Sequence, residues 1–486
     1  MTIPGLLVSA AHKSSGKTTL TLGLAAALSA RGHAVQPFKK GPDYIDPMWL
    51  ALAAGRPCLN LDPLLMSAGE IASTVSGHGA DADLCLFEGN KGLYDGLALD
   101  GSNSNAALAK QLGLPVVLVI DARGMTRGIA PLILGYQAFD HAVRIVGVIL
   151  NQLGGSRHEA KLRAVIEQYT DVPVLGAVQH DVRLELIERH LGLMPDREMD
   201  DAVARVQAMG RVIAEQVDLA RVLALAGAST EPQARPGRAP VCTPPRERSR
   251  GALRIGIARD KAFGFYYPDD LAELQAEGAT LVPLDTLADR FLPKLDGLFI
   301  GGGFPELFMS ELEANVSLRT ELHRAIDDGL PVYAECGGLM YLARTLNWNG
   351  RSAQMVGAIP GDAVMHERPV GRGYVQLEES VDFPWPGSPG TATQRMAHEF
   401  HHSSLENLDP SVRTAYRVVR GHGIGDGRDG VCVRNVLASY AHLRHTGGND
   451  WPRRFIAFVR QVRASNRALA RRPDQRVPGP SAQRAC

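Results

Sequence analysis

The chain has 486 residues, with 52 Lys+Arg against 52 Asp+Glu, so no net field draws it onto nucleic acid or an anionic membrane. That length predicts two or three domains of about 100–200 residues, and 45% hydrophobic residues with 51 glycines and 30 prolines exclude a coiled coil or a mostly disordered chain. Six scattered cysteines (Cys58, Cys85, Cys242, Cys336, Cys432, Cys486) form no C-x-x-C pair, which argues against a zinc ribbon and fits a reducing compartment.

Met1 to Gly5 carries no basic stretch ahead of an apolar one, and no apolar run reaches membrane length, so a cytoplasmic protein is expected. The apolar run Leu6–Ser9 predicts a buried strand entering Ala11-His12-Lys13-Ser14-Ser15-Gly16-Lys17-Thr18-Thr19, with a helix over Thr18–Arg31. Strand, loop and helix in this order predict a phosphate-binding loop. Backbone groups around Gly16 would cradle phosphates, Lys17 would reach the β/γ-phosphates, the Thr18 hydroxyl would ligate Mg²⁺, and Thr19 follows in the same turn. Ala11 stands where the motif usually has its first glycine. A second strand, Ala34–Phe38, leads into Lys39-Lys40-Gly41-Pro42-Asp43-Tyr44-Ile45-Asp46-Pro47. Its lysines and carboxylates either face a triphosphate or decorate a solvated turn.

The strand Leu84–Phe87 ends at Glu88, a candidate second Mg²⁺ ligand, and Asp95 follows in a glycine-rich turn. A helix over Asn105–Leu112 and strands Val116–Ile120, Ile145–Leu150 and Val174–Val178 complete a βαβ pattern that predicts a mainly parallel sheet. Asn151, at a strand end, either reads a base edge or caps its own turn.

Residues 227–251 hold five prolines and no apolar periodicity, a linker composition. Beyond it, Leu253–Ala258, Thr280–Pro283, Gly297–Ile300 and Pro331–Ala334 predict a second α/β domain, followed by shorter strands near Gly373–Leu377, Arg417–Val419 and Val431–Val433. Gly301-Gly302-Gly303-Phe304-Pro305-Glu306 offers backbone donors for an oxyanion. Leu330 to Met340 reads strand, small-residue turn, helix, an elbow that would present Cys336 as a nucleophile at a helix start. His442 comes late enough to serve as its base. From about Ala464 the Arg-rich end reads as a frayed, solvated tail.

Both halves resemble the cobyrinic acid a,c-diamide synthase family, two-domain glutamine amidotransferases of the cobalamin pathway. The resemblance runs from about Gly5 to His442 through HKSSGKTT, PFKKGPDYIDP, FEGNKGLYDG, VVLVIDARG, GVILNQLGGSRHE, RHLGLMP, GGGFPE, YAECGGLMYL, HEFHHS and ASYAHL. It implies a P-loop NTPase-like synthetase domain over 1–226, a linker, a class I glutamine amidotransferase-like α/β domain over 252–463 and a basic tail over 464–486. It further implies Cys336 as the glutaminase nucleophile and His442 as its partner, with ATP–Mg²⁺ and a tetrapyrrole on the first domain. L-glutamine is the expected second substrate, and a homodimer stays open. Asp43, Tyr44, Asp46 and Asp95, with Gly302 and Gly303, are the expected substrate contacts.

The family usually reads FHYS where this chain has Phe400-His401-His402-Ser403, and HLH where it has His442-Leu443-Arg444. Together with Lys13, Lys91 and the 100–105 stretch, these departures are expected to face substrate. They leave a sirohaem amide synthase subgroup as the alternative. A partition-type ATPase or a dethiobiotin-synthetase-like enzyme would leave the Cys336 elbow unexplained.

Overall fold

The structure is a computed structural model that describes residues 3–185, 188–189, 192–193, 201–230, 253–387 and 394–470. Most of the expected linker and the end of the expected tail lie outside the described residues. The first half runs β1 (Gly5–Ala10), α1 (Lys17–Ala30), β2 (Val35–Lys40), α2 (Ile45–Ala54), β3 (Leu59–Leu61), α3 (Ala68–Gly79), β4 (Leu84–Glu88), α4 (Asn105–Leu112), β5 (Val116–Asp121), α5 (Ile129–Phe139), β6 (Ile145–Leu153), α6 (Ser156–Tyr169) and β7 (Val174–Gln179). The short pair β8 (Glu188–Arg189) and β9 (Gly192–Leu193) precedes α7 (Ala202–Gln216) and α8 (Leu219–Leu225).

β1 to β7 form one parallel sheet in the order β3-β2-β4-β1-β5-β6-β7. Its strands are almost wholly buried and mainly apolar because helices cover both faces, with the polar residues Lys39, Lys40, Glu88 and Asn151 toward their C-terminal ends. Leu20 and Leu24 of α1, Trp49 of α2 and Met209 of α7 fill one side; Ile71, Leu108, Ile133 and Leu162 fill the other. β1 and β4 lie side by side, and the chain leaves them in opposite directions, α1 toward β2 and α4 toward β5. A crevice opens at such a point beyond the strand C-termini.

The second half runs β10 (Leu253–Ala258), β11 (Phe263–Phe265), α9 (Pro268–Ala276), β12 (Ala279–Leu284), β13 (Gly297–Ile300), β14 (Gly302–Gly303), α10 (Met309–Ala314), α11 (Val316–Asp327), β15 (Val332–Glu335) and α12 (Gly337–Leu342). It continues with β16 (Ala343–Trp348), β17 (Arg351–Gln354), β18 (Ile359–Met365), β19 (Gly371–Glu379), β20 (Gln394–His401), β21 (Ser403–Glu406), β22 (Arg413–Arg420), β23 (Arg428–Val433), β24 (Val436–Ser439) and α13 (Trp451–Ala470). β12-β10-β13-β15-β24 are parallel, and β23, β22, β19 and β20 extend the same sheet antiparallel.

The unbroken apolar runs correspond to the parallel strands. The smaller sheet β17-β16-β18-β21 was not legible, because strands such as β18 alternate buried and half-buried residues without an apolar run. The tail expectation needs correction at its start. α13 crosses residue 464 and continues to Ala470, anchored by Trp451, Phe455, Ile456 and Val459 in the core around Tyr333. Among the described residues no helix is long and apolar enough to cross a membrane.

Candidate active site

β1 delivers the chain into the loop before α1, whose N-terminus has no side-chain cap and no acidic residue in its first turn. The leading amide groups of α1 are therefore open to an anion. Gly16 has φ +83°, and a Cβ there would lie 2.1 Å from Asn151 Nδ2. Ala11 replaces the usual glycine without strain, since its φ is not positive, whereas Ser14 takes φ +65°. Asn151 is buried, and its side-chain amide donates to Ser15 O at 2.9 Å. Its donor therefore braces the phosphate loop and does not cap the turn after its own strand.

The β2–β4 register sets Lys39 opposite Glu88, both almost fully buried. Glu88 Oε1 accepts from Thr18 Oγ1 at 2.6 Å and lies 3.1 Å from Lys39 Nζ and 3.5 Å from Lys17 Nζ. Lys39 also pairs with Asp46, and with Asp43 at 3.7 Å. Burial lowers the Lys17 ammonium pKa; at Lys39 burial acts the same way, but Asp46, Glu88 and Asp43 outweigh it and raise the pKa well above the ordinary lysine value. Burial and the Asp46 charge push Asp43 up to about 7. Burial opposes the Asp46 charge too, but Lys39 prevails and holds that carboxyl below its ordinary range. Glu88 Oε2 is buried with no hydrogen-bond partner. An orphaned carboxylate oxygen beside the Thr18 hydroxyl is the donor set a phosphate-bound Mg²⁺ takes, so these residues fit that ion.

Asp43 Oδ1 accepts from the amides of Ile45 and Asp46, and Asp95 Oδ2 accepts from Gly92 N at 2.9 Å. Both also line a cavity of about 420 Å³ between the two halves. Lys40, Tyr44, Lys91, Gly303, Cys336, Tyr374, His398, His402 and His442 share its wall. Thr19 lies in the first turn of α1 beside Thr18.

Cys336 follows β15 with φ +47° and ψ −101°, a conformation that L-residues avoid and that a nucleophile elbow imposes. Its amide donates to Ser439 O at 2.7 Å, tying the elbow to β24. His442 lies three residues beyond β24, its backbone bridged in both directions to His398. Burial disfavours the His442 imidazolium, but the Cys336 thiol and the Glu335 carboxylate outweigh it and push its pKa up to about 10. Burial and the nearby His442 push His398 down to about 3. Gly303 passes against the elbow, its amide nitrogen 3.0 Å from where a Gly337 Cβ would stand, and its own Cβ would come within 1.9 Å of Ala262 O. Gly302 pairs with Phe265 and does not line the cavity.

Tyr44 reaches across the seam, its ring 5.4 Å from Phe265, 4.6 Å from Tyr267 and 5.2 Å from His442. Of the departures expected to face substrate, Lys91, Asn103 and His402 do line the cavity. Arg444 does not: it is buried at the domain seam, donating to Asn60 O at 2.5 Å and to Asp269 Oδ2 at 2.9 Å. Lys13 is exposed on the loop surface away from the cavity wall. Sequence reasoning missed Glu335, although a carboxylate ending an apolar strand and preceding the nucleophile was a readable signal. His398 opens the HEFHHS stretch, where its approach to His442 was not readable, and Tyr374 had no such signal, since β19 brings it in from afar.

Two family descriptions match the chain. Residues 7–193 match the CobQ/CobB/MinD/ParA nucleotide binding domain, and residues 254–450 match the CobB/CobQ-like glutamine amidotransferase domain. The chain is 44% identical over 460 residues to a cobyrinate a,c-diamide synthase of Magnetococcus marinus, covering 94% of this chain and 98% of that protein. It is 40% identical to one from Methanosarcina acetivorans, covering 95% and 97%, and 38% identical to one from Listeria monocytogenes, covering 90% and 95%.

Proposed function

The chain belongs to the cobyrinate a,c-diamide synthase family, and from that membership we propose that it amidates two peripheral acetate carboxylates of a modified tetrapyrrole, using ATP and glutamine-derived ammonia. The observation that carries this reading is the single cavity of about 420 Å³ whose wall holds both Cys336 and His442 and, from the other half, Asp43 and Asp95. That shared wall gives ammonia released at the thiol a short route to the synthetase carboxylates.

Cys336 gives its proton to His442 and attacks the side-chain carboxamide of glutamine. His442 protonates the departing nitrogen, and water hydrolyses the thioester to glutamate. Backbone donors near Gly303 support the oxyanion. In the first half, a substrate acetate attacks the γ-phosphate of ATP to give an acyl phosphate, and ADP leaves as the bond to the β,γ-bridging oxygen breaks. Gly16 and the start of α1 hold the phosphates, Lys17 follows the developing charge, and Lys39 keeps Asp43, Asp46 and Glu88 together. Thr18 and Glu88 would hold Mg²⁺, which would neutralise phosphoryl charge when bound. Asp43 takes the proton as ammonia displaces phosphate, while Tyr44, Asp46 and Asp95 orient the acetate.

The test is mass spectrometry of pure protein with ATP, Mg²⁺ and glutamine, with cobyrinic acid and sirohaem in separate tubes. Two carboxyl-to-amide conversions on cobyrinic acid are expected. Conversion of sirohaem alone would move the protein to the other substrate and make Lys91 and His402 specificity residues. Cys336→Ala is expected to abolish glutamine use and leave amidation with ammonium salts; loss of both would refute this division of labour.

A further inference from the structure

We propose that Glu335 is a positioning residue for glutamine hydrolysis, holding the His442 imidazole against Cys336 through Nδ1; this rests on the roles given to Cys336 and His442 above. Glu335 ends β15 next to the nucleophile, and its strand register places it opposite Ser439, three residues before His442. The side chain is buried. Its Oε1 accepts from Tyr333 OH at 2.6 Å and from Leu443 N at 2.8 Å, which fixes the carboxylate plane. The other oxygen, Oε2, lies 3.4 Å from His442 Nδ1, a buried nitrogen with no hydrogen-bond partner, so the two meet as an ion pair. Among the described residues, His442 is the group within ion-pair distance of Glu335.

Two consequences follow from that placement. A carboxylate facing Nδ1 selects the tautomer with Nδ1–H, leaving Nε2 free to take the thiol proton. It also stabilises the imidazolium once the proton arrives, in a site where burial opposes any charge. The balance closes on His442: the S–H proton moves to Nε2, the C–N bond of the carboxamide breaks, and that proton leaves with ammonia. Water then gives Nε2 a proton as it cleaves the thioester and returns the thiolate. The other titratable groups facing His442 are Cys336, His398 and Tyr44, with Asp270 and Tyr266 behind Glu335.

Glu335→Gln keeps an oxygen for Tyr333 and Leu443 while removing the charge. Its glutaminase kcat is expected to fall on the order of 10²-fold or more with little change in KM. The alkaline limb of its pH profile, where His442 loses its proton, should move down by about one unit or more. Glu335→Asp should bring that limb back toward the parent. An unmoved limb in the Gln variant, or an Asp variant that matches Gln, overturns the assignment. A second measurement leaves Glu335 in place: ¹⁵N-histidine NMR of Cys336→Ala, where the thiol no longer helps. His442 is expected to remain an imidazolium well above the ordinary histidine value of about 6.5; titration at that value overturns the role. If Cys336→Ala itself still used glutamine, the proposed function would fail. If only Glu335→Gln were silent, this inference alone would fail.

Discussion

At the residue scale, Asp43 and Asp46 share the Lys39 ammonium yet titrate in opposite directions, Asp43 up to about 7 and Asp46 below its ordinary range. Carboxyl groups pushed apart in this way can divide acid and base roles. Asp43 gains the ability to accept a proton as pH rises past about 7. The rate of amidation with ammonium salts, compared at fixed free ammonia, should therefore climb through that pH. In Asp43→Asn the climb should vanish and the rate should fall by about 10²-fold; a climb that survives would place the proton acceptor elsewhere. The spacing Pro42-Asp43-Tyr44-Ile45-Asp46 made both carboxylates visible in the sequence. Which one rises was not visible, because that depends on Lys39 and Glu88 meeting across two strands. The same limit hid the pairing of Glu335 with His442 and the bond from Asn151 to Ser15 O. A single chain order does not say on which side of the phosphate loop a strand-end amide will lie.

At the element scale, the approach of α7 to α1 is close enough to decide what a methyl group does. A Cβ at Gly210 would meet Ala26 Cβ at 2.9 Å and the Ala27 backbone nitrogen at 3.1 Å, neither of which can rotate away. Gly135 in α5 is exposed, and nothing lies within 4 Å of its added Cβ. The same Gly→Ala change should act with opposite signs. Gly135→Ala should stabilise by about 0.5–1 kcal/mol through helix propensity. Gly210→Ala should destabilise by about 1–2 kcal/mol after that gain, because overpacking outweighs it. Urea unfolding of the two variants reads both, and shifts of one sign would contradict this packing. Elements were legible where burial is total: β1 is buried along its whole length and its text is an apolar run. β18 and β21 gave no such text because one face of each is only half-buried.

At the scale of the whole molecule, the two halves matter to each other only if ammonia does not escape between them. The seam is closed by polar contacts, one of them made by the cavity-wall residue Tyr374. Arg444 donates to Asn60 O and Asp269, with its guanidinium 4.8 Å over the Tyr267 ring; Tyr374 OH meets both oxygens of Asp62; and Gly447 N meets Glu70. Phe304 of the second half packs into the core of the first. Arg444 is 1% exposed and outside the cavity wall, so it can be changed without touching substrate. Arg444→Ala leaves the Asn60 carbonyl and the Asp269 carboxylate without that donor. Glutamine should still be hydrolysed and ammonium salts should still support amidation. The ratio of glutamate released to amide formed should rise from about one to several, because ammonia now leaks from an opened seam. Assaying glutamate and amide in the same tube gives this ratio directly. If it stayed near one in Arg444→Ala, the path would have to be sealed by the aromatic contacts of Tyr44 with Phe265, Tyr267 and His442 instead.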